Sequence, residues 1–245
     1  MKGQKTQRLA AGWLFGMVLL IAVSAASLWA RRGADLERQL LRSEPQALMT
    51  DAQLVKFARG RAGSLFQQRC SSCHGGQARG GVPNRAGVPN LASARSLYGD
   101  NLIDIERIVL YGIRSGHPLA RNLTDMPALG RMGQITADEA HDVVEYLLRL
   151  SRRTHDDAAA ERGSAVFRGN GNCYDCHAND AAGVTDYGTP ALTGPGWLYG
   201  GDRQSLYESV YSGRHGLCPA HTRVLSAADA RALAVYVLMM RRTRA

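Results

Sequence analysis

The sequence CSSCH at residues 70–74 returns as CYDCH at residues 173–177, and this repeated pattern decides the fold. Cys-x-x-Cys-His is the attachment signal of c-type haem, because the two thiols add to the haem vinyl groups and the histidine reaches the iron from the same turn. A zinc ribbon would separate its cysteine pairs by about 15–20 residues, and a thioredoxin-like Cys-x-x-Cys needs no adjacent histidine. The sequence therefore predicts two covalently attached haem c groups, with these attachment residues: Cys70, Cys73 and His74, and Cys173, Cys176 and His177.

Length, charge and cysteine usage limit the remaining possibilities. A chain of 245 residues is long enough for two small domains. Its formal net charge of +9 favours an acidic protein partner or anionic headgroups. No basic run is interleaved with aromatic residues, so we predict no nucleic-acid partner. Because haem is attached covalently outside the cytoplasm, the haem-binding part is predicted to lie in a bacterial periplasm.

The amino-terminal region predicts a membrane anchor. Residues 10–30 carry no charge and are mostly apolar, and a segment of this length is enough to cross a bilayer. Three basic residues precede this segment, so the amino terminus should be cytoplasmic, and Trp13 and Trp29 lie near its two ends. A cleaved signal peptide is the alternative, because residues 24–26 could serve as a cleavage site, although its apolar core is normally shorter. We predict an uncleaved single-pass anchor in the inner membrane.

An internal repeat follows, in which short segments recur in the same order around both haem motifs. The matching segments are Gly63–Phe66 and Gly163–Phe167, Pro89–Leu91 and Pro190–Leu192, Leu97–Asp100 and Leu198–Gly201, and Gly112–Gly116 and Ser212–Gly216. Capping signals at Thr136 and Ser226 introduce a closing helix in each half, and no useful strand pattern appears. We therefore predict a mainly α-helical chain, with a cytoplasmic stub and transmembrane anchor at 1–32, a charged connector at 33–58, and haem domains at 59–152 and 160–245.

The first half offers a methionine as the sixth iron ligand. Met126 lies between a glycine turn and the predicted closing helix, and we predict that it binds the first iron. A thioether opposite a histidine raises the reduction potential of the haem. Met132 and His117 are nearby alternatives, and both methionines could instead only pack against the ring.

The second half has Cys218-Pro-Ala where the repeat predicts Met-Pro-Ala. An unpaired thiol is prone to oxidation outside the cytoplasm unless something holds it. Iron would hold it as a thiolate. We predict Cys218 as the sixth ligand of the second haem, which should then have the lower potential. His221 and His215 are alternatives, as is an open site in which Cys218 is a small buried residue.

Other pocket residues carry weaker predictions. Arg114 and Arg214 could each pair with haem propionates, or they could be solvated arginines on loops. Tyr98, Trp197 and Tyr199 are expected to pack in the haem pockets.

The haem motifs, together with Trp197–Gly201, Gly213–Gly216 and the Pro-Ala ligand loops, resemble tandem class I cytochrome c domains. The chain is most similar to the membrane-anchored dihaem subunit III of cbb3-type haem–copper oxidases, over residues 59–245. That resemblance implies two tandem cytochrome c domains behind a transmembrane helix. It also implies partner proteins: a soluble or membrane cytochrome or a quinol-oxidising complex as donor, and a membrane oxidase core as acceptor. The family's second ligand loop has methionine where this chain has Cys218.

We therefore predict a single-electron carrier in a respiratory or related chain, with no catalytic residue of its own. Two alternatives remain. Haems with a histidine and a cysteine ligand also resemble those of thiosulfate dehydrogenases, which would make the chain a periplasmic sulfur-oxidising enzyme. A haem-based redox or gas sensor would result if Cys218 left the iron on reduction.

Overall fold

The computed structural model describes residues 2–80, 87–93, 96–194 and 196–242, with side chains of the first helix at residue 17 and from residue 19 onward. The chain divides into two compact units, Met1–Phe57 and Ala58–Ala245. The described residues form these helices, joined by turns and isolated β-bridges: α1 (Lys2–Arg42), α2 (Pro45–Thr50), α3 (Ala52–Arg69), α4 (Ser71–His74), α5 (Leu102–Tyr111), α6 (Ala137–Leu150), α7 (Asp157–Arg168), α8 (Tyr174–His177), α9 (Arg203–Ser212) and α10 (Ala227–Arg242). The predicted mainly α-helical class is confirmed.

The first unit contains one long helix. With 41 residues, α1 is about 60 Å long. Asp51 begins α3, because its carboxylate accepts the backbone N–H groups of Gln53 and Leu54 at 2.8 and 3.0 Å. Among the described residues, no helix combines the length and the hydropathy of a membrane span. For part of the predicted span at residues 10–30, Trp13 included, the side chains lie outside the described part of the structure.

In the second unit, each sequence repeat contains the same four helices in the same order. An entry helix (α3 or α7) leads to a one-turn helix that ends at the motif histidine (α4 or α8), followed by a middle helix (α5 or α9) and a closing helix (α6 or α10). Both predicted caps of the closing helices are present. Thr136 and Glu139 form a capping box, and Ser226 and Asp229 exchange reciprocal hydrogen bonds of 3.0 and 3.1 Å.

The closing helices are exchanged between the two repeats. Helix α6 packs against α7 and α9, and α10 packs against α5. Ring contacts show the same exchange: Tyr146 of α6 meets Phe167 of α7 at 5.3 Å between ring centroids, and Tyr236 of α10 meets Phe66 of α3 at 5.6 Å. We call α3, α5 and α10 the first bundle, and α6, α7 and α9 the second bundle.

This exchange differs from the sequence-based expectation that each half closes on its own helix. Only residues 151–156 separate α6 from α7, and helices joined by so short a connection usually pack as neighbours. Gly163 of α7 makes the contact close, because a Cβ there would collide with the backbone carbonyl of Asp142 in α6. The core of the second bundle therefore includes Val143 and Leu147 together with Phe167.

Candidate haem-binding site

The motif histidines are oriented by proline carbonyls. Nδ1 of His74 lies 3.2 Å from the carbonyl oxygen of Pro89, and Nδ1 of His177 lies 3.0 Å from that of Pro190. Because a carbonyl oxygen only accepts, each Nδ1 carries the proton and each Nε2 keeps its lone pair. Burial also lowers the pKa of both imidazoles, which favours the neutral form that binds metals.

Each motif folds into a single helical turn, which brings its two thiols and its imidazole close together. The N–H of His74 donates to the carbonyl of Cys70, and the N–H of His177 donates to that of Cys173, both at 2.9 Å. The four motif thiols are free, and burial raises the pKa of Cys70 and of Cys173 to about 11. The thiols and the imidazole of each motif therefore face one place together, as covalent haem attachment requires.

Both motifs line one cavity of about 790 Å³, whose walls are mostly apolar. The indole nitrogen of Trp197 is buried there and has no hydrogen-bond partner among the described residues. A buried indole N–H normally finds an acceptor, and a haem propionate would supply one. The apolar walls, the paired thiols, the oriented histidines and this donor fit haem c.

Met126 lies beside the second bundle. Its backbone forms two hydrogen bonds with Arg214, of 3.3 Å from its N–H and 3.1 Å to its carbonyl. A few residues later, Gly130 donates to the carbonyl of Tyr211, at the end of α9, at 3.1 Å. Met126 thus lines the cavity from the loop that precedes α6, on the side of the second haem motif.

Cys218 lies beside the first bundle. It pairs with Ile113 through backbone hydrogen bonds of 2.9 and 3.0 Å, just after α5. Burial, and to a smaller extent the nearby Cys70 and Cys73 thiols, raises the pKa of its thiol to about 11. Cys218 therefore lies beside the first haem motif.

Two glycines allow a close approach of the loops that carry the predicted ligands Met126 and Cys218, which we call the ligand loops. Gly112 and Gly213 end α5 and α9 with φ of 75° and 70°, in the left-handed region that favours glycine. A Cβ on Gly112 would collide with the carbonyl of Cys218, and a Cβ on Gly213 would collide with that of Met126. The same contact is thus built twice, each time between a middle helix and the ligand loop of the other repeat.

These contacts do not favour the ligand pairing predicted from the sequence, with Met126 on the first haem and Cys218 on the second. They bring Met126 to the second bundle and Cys218 to the first. The physical reason is the exchange of the closing helices, because each ligand loop runs directly into its closing helix.

The alternative ligands differ in their surroundings. His221 lines the cavity, and its Nδ1 lies 3.2 Å from the carbonyl of Val109, so it stays an alternative to Cys218. His215 is exposed and pairs with Asp125 at 2.7 Å. The side chain of Met132 is exposed, and His117 stacks on Tyr111. The last three lie outside the cavity lining.

Sequence reasoning missed two functional groups. The proline carbonyls that orient His74 and His177 belong to the repeated Pro-x-Leu segments, so the repeat itself was the available signal. Trp197 was predicted only to pack, whereas its buried N–H also offers a hydrogen bond. Tyr98 and Tyr199 do line the cavity, as predicted.

Comparisons with known proteins identify the family to which the two haem motifs belong. The family model for cytochrome c matches residues 58–151, and the model for subunit III of cbb3-type cytochrome c oxidase matches residues 158–237. The chain is 35% identical to the cbb3-type cytochrome c oxidase subunit CcoP of Cereibacter sphaeroides over 209 residues, covering 85% of this chain and 70% of the relative. It is 36% identical to the subunit FixP of Bradyrhizobium sp. (strain ORS 278) over 220 residues, covering 89% and 72%.

The predicted resemblance is thereby confirmed. Cytochrome c domains bind haem c covalently, and two such domains agree with two haem motifs. The chain belongs to the subunit III family of cbb3-type cytochrome c oxidases, as an electron-transfer subunit of an oxidase complex.

Proposed function

We propose that this chain carries single electrons through two haem c groups to the core of a cbb3-type oxidase. The observation that carries the proposal is the pair of motifs on one cavity, each with an imidazole whose Nε2 is available for iron. Haem c supplies an iron centre that gains and loses one electron. A cytochrome is the proposed donor, and the net charge of +9 suits an acidic docking partner.

We further propose that the axial ligands are crossed. The first haem is held by Cys70, Cys73 and His74, with Cys218 as its sixth ligand. The second is held by the other motif, with Met126 as its sixth ligand. The contact of Cys218 with Ile113 and that of Met126 with Arg214 support this pairing. Two six-coordinate irons leave no open position for a substrate, which suits electron transfer.

Selective removal of one haem tests the pairing. In the variant Cys70→Ala/Cys73→Ala, crossed ligation predicts loss of the thiolate signal in the electron paramagnetic resonance spectrum, with the methionine-ligated haem retained. Cys173→Ala/Cys176→Ala should give the reverse. The opposite assignment of signals would overturn the crossing, and a wild-type spectrum without any thiolate signal would overturn ligation by Cys218.

The substitution Cys218→Met isolates the ligand itself. Replacing a thiolate by a thioether should remove the thiolate signal and raise one reduction potential by on the order of 0.3 V, within the roughly 0.8 V that axial ligands span. Met132→Ala is the control, because that exposed side chain should leave both potentials unchanged. If the purified wild-type protein turned over thiosulfate, the pure carrier proposal would be wrong, and a sulfur-oxidising enzyme would replace it.

We also propose that α1 anchors the chain in the inner membrane, with the amino terminus cytoplasmic and the haem domains, at 59–152 and 160–245, periplasmic. The support is a row of apolar side chains that α1 leaves exposed, among them Leu20, Ile21, Leu28 and Trp29. Replacing residues 1–32 by a cleavable periplasmic signal peptide should release a haem-loaded protein into the soluble fraction. Retention in washed membranes would contradict the anchor.

A further inference from the structure

Arg114 makes contacts that its repeat equivalent, Arg214, does not share. Arg114 follows the glycine turn after α5 with a φ of 50°, a left-handed conformation that is uncommon outside glycine. Its side chain is only 12% exposed. A non-glycine residue held in that conformation with a buried charge needs several compensating contacts.

Those contacts join the two ligand loops. The guanidinium donates through Nε to the carbonyl of Gly216 and through Nη1 to that of Thr124 at 2.9 Å. Thr124 lies two residues before Met126, and Gly216 lies two residues before Cys218. One side chain therefore bonds to the backbone at the same distance in sequence from both proposed sixth ligands.

Two further groups complete the site around Arg114. Its Nη2 donates to the hydroxyl of Tyr98 at 3.3 Å, and its Nε lies 3.3 Å from a carboxylate oxygen of Asp125. Asp125 compensates the buried positive charge, and it also accepts from His215. The planar fork of an arginine directs its donors to several acceptors at once, which a lysine ammonium on a flexible stem does not do.

Arg214 is bonded differently. It donates to Ser209 Oγ at 2.9 Å and to the carbonyl of Ser205 at 3.2 Å, both on α9, and its guanidinium lies 4.7 Å from the ring centre of Tyr199. Both of these hydrogen bonds stay within its own repeat. The two arginines thus share a place in the repeat and a charge. Arg214 bonds to Met126 through its backbone, but of these two side chains it is that of Arg114 that bonds to both ligand loops.

We infer that Arg114 is a positioning residue that couples the two sixth ligands, so that Met126 and Cys218 are held or lost together. This inference rests on the proposal that both residues bind iron, but not on which iron each one binds. The two halves exchange their ligand loops, and one largely buried guanidinium fixes the spacing of both loops where they meet.

The test compares matched substitutions in the full-length, haem-loaded protein: Arg114→Lys and Arg114→Gln beside Arg214→Lys and Arg214→Gln. Two spectroscopic signatures are followed, the thioether-to-iron charge-transfer band for Met126 and the thiolate resonance for Cys218. We expect both signatures to lose intensity in parallel in the two Arg114 variants, with no rescue by lysine. In the Arg214 variants the thiolate resonance should be retained.

Several results would overturn the inference. Full rescue by Arg114→Lys would mean that only charge matters. Loss of one signature alone would mean that the two ligands are not coupled, and equal losses in the Arg214 variants would mean that any pocket arginine suffices. If Arg114→Gln does not accumulate, Arg114→Lys with an unchanged circular dichroism spectrum decides. A missing signature in the wild-type protein would instead count against the proposed ligation, before any arginine is changed.

Discussion

At the scale of single residues, the haem sites depend on polar side chains whose hydrogen-bond partners are backbone carbonyls or, as we propose, the haem itself. Each motif histidine donates a hydrogen bond from its Nδ1–H to a proline carbonyl, and this leaves Nε2 directed to the cavity. Trp197 has the complementary role, because its buried N–H has no partner in the described protein. The protein thus offers two imidazole nitrogen atoms to the cavity and at least one donor for a carboxylate.

Trp197→Phe should therefore weaken the holoprotein. A hydrogen bond to a charged group contributes about 1.5–3 kcal/mol, and we expect the free energy of unfolding to fall by about that much. Denaturant unfolding followed by circular dichroism measures the change. Trp29→Phe is the control, because that side chain is 82% exposed on α1. Equal stability of the two variants would show that the indole N–H donates to no buried acceptor.

At the scale of elements, the turns that end α5 and α9 hold the ligand loops. Gly213 and Gly133 have nearly the same φ, 70° and 72°, but only Gly213 faces the backbone of Met126, whereas the space beside Gly133 is open. Comparing alanine substitutions at these two glycines therefore separates two free-energy costs. One is the cost of placing alanine in the left-handed conformation, and the other is the cost of displacing the loop that carries Met126.

We expect Gly133→Ala to cost about 1–2 kcal/mol of unfolding free energy and to leave both haem spectra unchanged. Gly213→Ala should cost more and should also weaken the thioether-to-iron band. Gly112→Ala should instead perturb the thiolate signal, because its Cβ would collide with Cys218. Optical and magnetic resonance spectra check each outcome. Identical spectra for Gly133→Ala and Gly213→Ala would refute the role of this turn.

Glu145 fastens α6 to its neighbours. Its carboxylate accepts from Arg203 of α9 at 2.7 Å and from the backbone N–H of Asp156 at 2.8 Å, just before α7. The hydrogen bond from Arg203 lowers the pKa of Glu145 most, and the bond from Asp156 lowers it further, although burial opposes them.

A carboxyl with a lowered folded-state pKa stabilises the protein above its unfolded pKa, about 4.3, and this contribution is lost as the pH falls through the folded pKa. Glu145→Gln should therefore lower the free energy of unfolding at pH 7 by about 1 kcal/mol, with a difference that shrinks in acid. Urea titrations at several pH values measure it. Glu161→Gln should change stability less, because the Glu161 side chain is 79% exposed. A difference that grew in acid would contradict this role.

At the scale of the whole molecule, the exchanged closing helices make the two repeats dependent on each other. Cleavage at a protease site inserted after Arg153, in the connection between α6 and α7, should leave the two fragments associated, because each carries the closing helix of the other's bundle. Native mass spectrometry of the nicked haem protein should then give the mass of both fragments together. Separation into two independent haem proteins would contradict the exchange.

The features that could be predicted from the sequence depend on residues close together in the chain. The haem motifs, the helical class and the capping box at Thr136 belong to this group. The exchange could not be predicted, because Phe66 and Phe167 are equivalent in the repeat, as are Tyr146 and Tyr236. Either pairing of these rings satisfies the same apolar pattern, so the choice depends on connection length and packing. The contacts of Arg114 could not be predicted for the same reason, since they exist only where the two ligand loops meet.

The exchange of closing helices also fixes an order of assembly. The segment that completes the first bundle, Cys218 followed by α10, comes after every other helix in the chain. Its contacts with the first motif join residues far apart in sequence, and such contacts form late in folding. On this order, the haem site of the first motif is the last to be enclosed. A premature stop codon before α10 would therefore leave the haem site of the first motif without its closing helix, although that motif lies far from the truncation in sequence.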